Sequence, residues 1–182
     1  MEWPALGRYA FDRDKTLVKV FIFKAPNLMS RFAHDLELHN DLIDGSVEIT
    51  DDGTTVEATV DLWNLRVIEQ LLNPKDRAEA ERLMRTKILK RRNVAKARFK
   101  GRLAAEGDRP VAQGELSLVG NRRRTVALPF ELVSVEDGRF RASLRHELMQ
   151  SDYGIKPFTA MMGLLKLQDR IAVEIETELK RL

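Results

Sequence analysis

The 182-residue sequence contains no cysteine and only three histidines, His34, His39 and His146. The missing cysteines exclude disulfide bonds, thiolate metal sites and a cysteine nucleophile. The histidines lack the two- or four-residue spacing of a metal-ligand set, so we predict no metal site. We also find no nucleophile–base pair and no glycine-rich phosphate loop, and therefore expect no catalytic residue and no cofactor.

Long apolar runs and a strong excess of one charge are also absent. No stretch approaches the ~18 apolar residues of a membrane span. Residues 1–9 lack the basic start and apolar run of a secretory signal, which predicts a cytoplasmic protein. The 31 basic and 28 acidic residues give a formal net charge of +3, too small an excess to indicate a nucleic-acid partner.

Alternation of apolar and polar residues is the dominant pattern, and it is typical of strands with one buried face. It is clearest in 94–103, where Ala97 and Phe99 face one way and Lys96 and Arg98 the other. The same alternation recurs at 17–23, 36–39, 56–62, 116–118, 126–130, 140–148 and 171–177. The sequence therefore predicts a mainly β fold of about eight strands.

One segment follows a helical pattern instead. Asn73 is a suitable N-cap and Pro74 suits the first helical position. Ala80, Leu83 and Met84 then recur at three- and four-residue spacing, which predicts a helix at about 74–89 with a narrow apolar stripe. A second short helix or turn is expected near 157–165, where the alternation is interrupted.

Many half-exposed strands and one helix favour a closed antiparallel barrel, although a sandwich fits the same pattern. Closure removes exposed strand edges, and eight strands leave an interior that side chains fill or that holds one ligand. Small inward residues such as Ala58, Ala97 and Ala142 favour the open interior, but they would also let a sheet bend. No linker interrupts the chain, so residues 1–182 are expected to form one domain.

Several segments match one known family in order and spacing. They are the helical stretch 76–89, the hairpin 114–120, the segments 124–130 and 151–155, and Asp169 with the closing strand. On these residues the chain resembles the YceI-like family of lipocalin-like barrels from about Arg8 to Leu179. The resemblance implies a barrel that binds, carries or sequesters a long apolar amphiphile: a polyisoprenoid, an isoprenoid quinone precursor or a fatty-acid derivative. It also implies a binding protein rather than an enzyme, and a homodimer.

The expected ligand contacts are the inward-facing strand residues and the segment after the last turn. They are Val20, Ile22, Leu36, Leu38, Val60, Leu62, Phe99, Leu116, Leu128, Phe130, Phe140, Leu144, His146, Phe158, Met161, Met162 and Val173. His146 is either a polar handle for the ligand or a core histidine satisfied by a neighbour. Phe158, Met161 and Met162 form either a flexible gate, since methionine adapts to irregular ligands, or a packed plug.

Two basic clusters support an alternative function, an interaction module for nucleic acid or anionic surfaces. They are Lys87, Lys90, Arg91 and Arg92, and Arg122, Arg123 and Arg124. No aromatic residues are interleaved with them for base stacking, and a solvated face is the explanation that we favour for both clusters. The expected partner is a lipid or isoprenoid molecule, with no specific nucleic acid and at most transient membrane contact.

Overall fold

The computed structural model describes residues 3–26, 35–68, 72–106, 109–120, 122–136, 138–160 and 165–182. Most of these residues lie in strands. In chain order the strands are β1 (Gly7–Phe11), β2 (Leu17–Lys24), β3 (Leu36–Asn40), β4 (Ile43–Thr50), β5 (Gly53–Asp61), β6 (Arg66–Val67), β7 (Lys96–Glu106), β8 (Arg109–Ser117), β9 (Arg123–Glu136), β10 (Arg139–Met149), β11 (Thr159–Ala160) and β12 (Leu165–Arg181). The one α-helix of the described residues is α1 (Pro74–Leu83), and a π-helical stretch continues it over Met84–Leu89.

The strands close into a ring of eight positions with antiparallel pairing. The path β4–β5–β7–β8–β9–β10–β12 returns to β1, which pairs with both β12 and β4. β1 and β2 together occupy one of the eight positions around the barrel, because both pair with β12. β3 and β4 share the next position, because β3 pairs with β2 and β4 pairs with β1. A short 3-10 turn at Arg13–Lys15 separates β1 from β2. The predicted eight-strand barrel is therefore confirmed, and the sandwich is excluded.

Two glycines allow a close approach of the backbones inside the barrel wall. Gly101 of β7 lies directly opposite Gly114 of β8. A Cβ added at Gly114 would lie 2.3 Å from the backbone oxygen of Lys100, and one at Gly101 would lie 2.2 Å from that of Gln113. Because any side chain would collide with the backbone here, glycine at both positions lets the two strands coil tightly.

The helical segment begins and ends where the sequence predicts. The Asn73 side-chain oxygen accepts a hydrogen bond from the Asp76 backbone N–H at 3.0 Å, and Pro74 takes the first turn. With its π-helical continuation the segment spans 74–89, as expected. No helix in the described part of the chain is long and apolar enough to cross a membrane.

The barrel interior has two halves with different packing. At the packed end, where β4 turns into β5, the Tyr9 and Phe140 rings meet edge to face with centroids 5.1 Å apart. Other buried residues of this half are Val47, Ile49, Val56, Ala112, Leu128 and Leu179. At the helix end, where β5 finishes and β7 begins, a second buried cluster surrounds open space. Its members are Val18, Val20, Leu38, Ile43, Val60, Leu65, Val67, Leu118, Leu148, Tyr153 and Ile171.

The connection from β10 to β12 contains an irregular segment, as the sequence predicts. A 3-10 turn forms at Gln150–Tyr153, and Gly154 ends it in the left-handed conformation with φ of 79°. In the interruption expected near 157–165, β11 pairs antiparallel with the start of β12. Residues 161–164, and with them Met161 and Met162, lie outside the described residues.

Candidate functional site

An apolar cavity of about 590 Å³ lies in the helix end of the barrel. Inward-facing residues of β2 to β10 and of β12 form its walls, and the helical segment 74–89 lines a further side. The helical contribution is Ala80, Leu83, Met84, Ile88 and Leu89, together with Asp76 and Glu79. The volume falls within the range of about 300–1,000 Å³ that is typical of small-molecule sites.

Thirteen of the residues expected to contact a ligand line this cavity. They are Val20, Ile22, Leu36, Leu38, Val60, Leu62, Phe99, Leu116, Leu128, Leu144, His146, Phe158 and Val173. Phe130 and Phe140 do not line it, because both lie nearer the packed end of the barrel, where Phe140 packs on Tyr9. Contact of the thirteen residues with a ligand stays a prediction.

Strand β2 shows how the inward face is selected when both faces are apolar. Val18, Val20 and Ile22 point into the cavity. Phe21 and Phe23 lie on the outer face, where the Arg145 guanidinium is 5.7 Å from the Phe21 ring centroid and that of Arg170 is 4.8 Å from Phe23. The rings thus find cation–π partners outside, and the smaller aliphatic side chains leave space inside.

Several cavity residues were not among the predicted contacts. Ala58 and Ala97 were recognised as small inward residues, and the apolar stripe of the helix was visible at Leu83 and Met84, but neither feature was assigned to the site. Ile155 also lines the cavity; it follows an irregular turn, where no periodic signal shows which side chains point inward.

The polar side chains of the cavity wall differ in how they are satisfied. Gln150 donates through Nε2 to the Gln168 carbonyl oxygen at 3.0 Å. Asp76 accepts from Asn73 at 2.7 Å, and the Glu79 carboxylate accepts two hydrogen bonds from Arg82, both at 2.7 Å.

His146 is the exception among these polar groups. In the described part of the chain it has no hydrogen-bond partner. Every fully buried side-chain nitrogen or oxygen there has a hydrogen-bond partner, so the unpaired nitrogens of His146 are not fully buried. Its ring nitrogens are therefore open to the cavity. Burial lowers the pKa of His146 below the ordinary 6.5, which favours the neutral imidazole, one nitrogen of which donates while the other accepts.

Beside His146 the β9–β10 ladder has ended. β9 and β10 pair from Phe130 and Leu144 toward the packed end, and this ladder does not continue to His146. The 3-10 turn that follows β10 also contacts β9, and its Tyr153 is only 4 % exposed. Its burial raises the pKa of the Tyr153 hydroxyl.

The other histidines are far from this arrangement. His39 lies on the outer face of β3 and its Nε2 is 2.7 Å from the Glu37 carboxylate, whereas His34 lies outside the described residues. Within the described ranges no three His, Asp or Glu side chains are placed to hold a metal ion. The cavity can therefore enclose an apolar chain and present one neutral imidazole to it.

Comparison with known proteins gives matches among solved structures only. No family model matches the sequence, and no curated protein matches it. The structure of BcnA from Burkholderia cenocepacia superposes with a TM-score of 0.67 at 13 % identity, covering 92 % of this chain and 98 % of that chain. A polyisoprenoid-binding domain from Saccharophagus degradans, implicated in plant cell wall breakdown, gives 0.65 at 10 % identity over 98 % and 100 % of the two chains.

A third solved structure carries the family name directly. A mutant of the CJ YceI protein with a monobromobimane guest matches with a TM-score of 0.57 at 15 % identity, over 78 % of this chain and 82 % of that chain. The predicted resemblance to YceI-like proteins is therefore confirmed at the level of the fold: the chain has the lipocalin-like barrel of these proteins.

Proposed function

We propose that the protein is a YceI-like binding protein that holds one long apolar amphiphile in the helix end of its barrel. The observation that carries this proposal is the apolar cavity of about 590 Å³ with a single unpartnered polar side chain, His146, among its described wall residues. The similarity of the fold to a polyisoprenoid-binding domain from Saccharophagus degradans agrees with this proposal.

The dimensions of the cavity suit a chain-like ligand. Its wall follows β12 from Leu167 to Ile175, and the eight residue-to-residue steps between them cover about 26 Å of strand at about 3.3 Å each. A strand tilt of about 40° reduces this to about 20 Å along the barrel axis. Each methylene buried there contributes ~0.8 kcal/mol, so a long chain offsets the cost of association.

His146 narrows the chemistry of the ligand. A neutral imidazole in an apolar wall favours a ligand that carries an uncharged hydrogen-bonding group, such as a carbonyl or hydroxyl, next to its apolar chain. An isoprenoid quinone precursor or a fatty-acid derivative supplies such a group, and a polyisoprenoid alcohol also does. We propose binding rather than catalysis, because Asp76, Glu79 and Gln150 are engaged within the protein and leave one imidazole facing the cavity.

The first experiment is mass spectrometry of gently purified protein, in its native state and after organic extraction, followed by titration with prenyl and acyl lipids. The test variant is Ala97→Phe, because Ala97 lines the cavity on β7. The matched control is Ala127→Phe, because Ala127 lies exposed on the outer face of β9. Displacing two methylenes from the cavity weakens binding by about tenfold or more.

We expect a co-purified or added amphiphile at near-stoichiometric ratio in the native protein and in Ala127→Phe, and a large loss in Ala97→Phe. Equal binding by both variants would place the ligand outside the cavity. Failure of the native protein to bind any added prenyl or acyl lipid would overturn the proposal.

A further inference from the structure

The chain between Arg82 and Ala105 contains ten basic residues and no acidic residue. It covers the end of the helical segment, the turn at 92–94 and most of β7. Three of its basic side chains form ion pairs with acids from elsewhere: Arg82 with Glu79, Arg85 with Glu81, and Lys100 with Glu57.

The other basic side chains of this stretch that the structure describes have no acidic partner among the described residues. Those nearest the helix end, which we name the basic rim, are Lys87, Lys90, Arg91, Lys96 and Arg98. All but the half-buried Lys96 are exposed. On the outer wall the strand neighbours of Arg98 are Thr59 and Ser117, and neither carries a charge. Lys96 lies opposite Asp61 in the β5–β7 ladder but forms no ion pair with it.

The position of the basic rim relates it to the cavity. Ile88 and Leu89, which line the cavity, lie between Lys87 and Lys90 in the sequence. Ala97, which also lines it, lies between Lys96 and Arg98. Val94, at the centre of the rim sequence, is 36 % exposed. Positive charge and an exposed apolar side chain thus lie on one side of the barrel end that contains the cavity.

The second basic cluster is different. Arg123 pairs with Glu115 at 3.2 Å, and Arg124 lies 4.0 Å from Asp152. The Arg122 side chain lies against the Gly154 backbone. Arg123 and Arg124 therefore have acidic partners within 4.0 Å, whereas the residues of the basic rim have none among the described residues.

We infer that the basic rim docks the barrel on an anionic lipid surface, with the cavity end toward the lipid. Clusters of four to eight Lys and Arg residues bind such surfaces, and a shallow apolar residue such as Val94 adds to the attraction. A nucleic acid is the less suitable occupant, since residues 82–105 contain one aromatic residue, Phe99, and it faces the cavity rather than a base. The inference goes beyond the proposed function and does not depend on the identity of the ligand.

The test is co-sedimentation with phosphatidylcholine vesicles that contain or lack phosphatidylserine, at low and high salt. The test variant carries Lys87→Gln, Lys90→Gln and Arg91→Gln, and thermal melting monitored by circular dichroism verifies its fold. The control variant carries Arg8→Gln, Arg102→Gln and Arg109→Gln, which removes the same charge from exposed positions nearer the packed end.

We expect the native protein and the control to bind the anionic vesicles only, and salt to weaken binding through screening. Each basic residue at the surface contributes about a fivefold change in the binding constant, so the test variant should bind about a hundredfold more weakly. Equal loss in both variants, no binding to anionic vesicles, or tighter binding to an oligonucleotide at the same salt would each overturn the inference. Lipid extraction from the same preparations reports on the cavity separately, so failure of docking and failure of the proposed function are distinguishable.

Discussion

His146 faces an apolar cavity and has no hydrogen-bond partner among the described residues, so burial has the main influence on its charge. Burial lowers the pKa of His146 below 6.5. The unfolded chain therefore takes up a proton at a higher pH than the folded protein does, and the free energy of unfolding falls as the pH drops below about 6.5. We expect the native protein to lose stability between pH 7 and pH 5, and His146→Leu to lose less. Urea unfolding of both proteins across this range measures the difference.

The Glu178 carboxylate provides an internal control because its pKa lies below the pH range in which His146 is tested. Glu178 accepts a hydrogen bond from Lys15 at 2.9 Å, and this bond lowers the pKa of the carboxyl group below 4.5. Stability that depends on Glu178 is present above about pH 4.5 and is lost only as the pH falls further. Both proteins should share that acidic loss. Parallel stability curves between pH 7 and pH 5 would contradict the role assigned to His146.

At the scale of the element, the N-cap of α1 controls how firmly the helix covers the cavity. Asn73→Ala removes the hydrogen bond from the Asp76 N–H and should destabilise the helix by about 1 kcal/mol. Asn93→Ala is the matched control, because Asn93 is exposed and its side chain has no hydrogen bond within the described residues. Amide hydrogen exchange should accelerate over 74–83 in the first variant only. Unchanged exchange in both variants would show that packing alone holds the helix.

The glycine pair of β7 and β8 supports a second prediction about an element. An alanine at Gly114 places its Cβ 2.3 Å from the Lys100 backbone oxygen, so the two strands must separate. We expect Gly114→Ala to lower the free energy of unfolding by about 1–3 kcal/mol, the typical cost of overpacking.

Glu115→Ala, one residue along the same strand, is the control for Gly114→Ala. It loses only an exposed ion pair with Arg123, and such pairs contribute little. Chemical denaturation compares the two, and equal midpoints would show that the wall tolerates a side chain at position 114.

The elements were largely predictable because their signals are local. Alternation identified the strands, and Asn73 with Pro74 identified the start of the helix. The breaks that divide one ring position into β1 and β2 were not predicted, since a short 3-10 turn at Arg13–Lys15 leaves no periodic signal. The β9–β10 register also shifts near Ala142, which leaves Val133 56 % exposed in the middle of an apolar run.

The cavity was only partly predictable. Alternation along a strand shows which side chains point inward, but it does not show how far along the barrel axis each of them lies. Phe140 and Leu144 have the same inward phase on β10, yet Phe140 packs on Tyr9 and Leu144 lines the cavity. The sequence shows which way a side chain points. Which half of the interior is filled depends on residues that meet only in the closed ring, such as Tyr9 from one terminus and Leu179 from the other.

At the scale of the whole molecule, this division separates stability from binding. The packed end buries large side chains against one another, whereas the helix end leaves space where Ala58 and Ala97 face inward. We therefore expect Phe140→Ala to lower the free energy of unfolding by about 3–5 kcal/mol while affinity for an amphiphile stays near native. Ala97→Phe should do the reverse: it fills space in the cavity, so binding is lost while stability is retained.

Paired measurements distinguish this division from a single continuous site. Urea unfolding gives the stability of each variant, and titration with a fluorescent long-chain lipid gives its affinity under conditions where the protein is folded. If folded Phe140→Ala lost affinity as Ala97→Phe does, the ligand would have to reach the packed end, and the two halves would form one site. If only substitutions at the helix end change the affinity, then the packed end around Tyr9 and Phe140 contributes stability. The opposite half of the barrel is then free to accept a ligand.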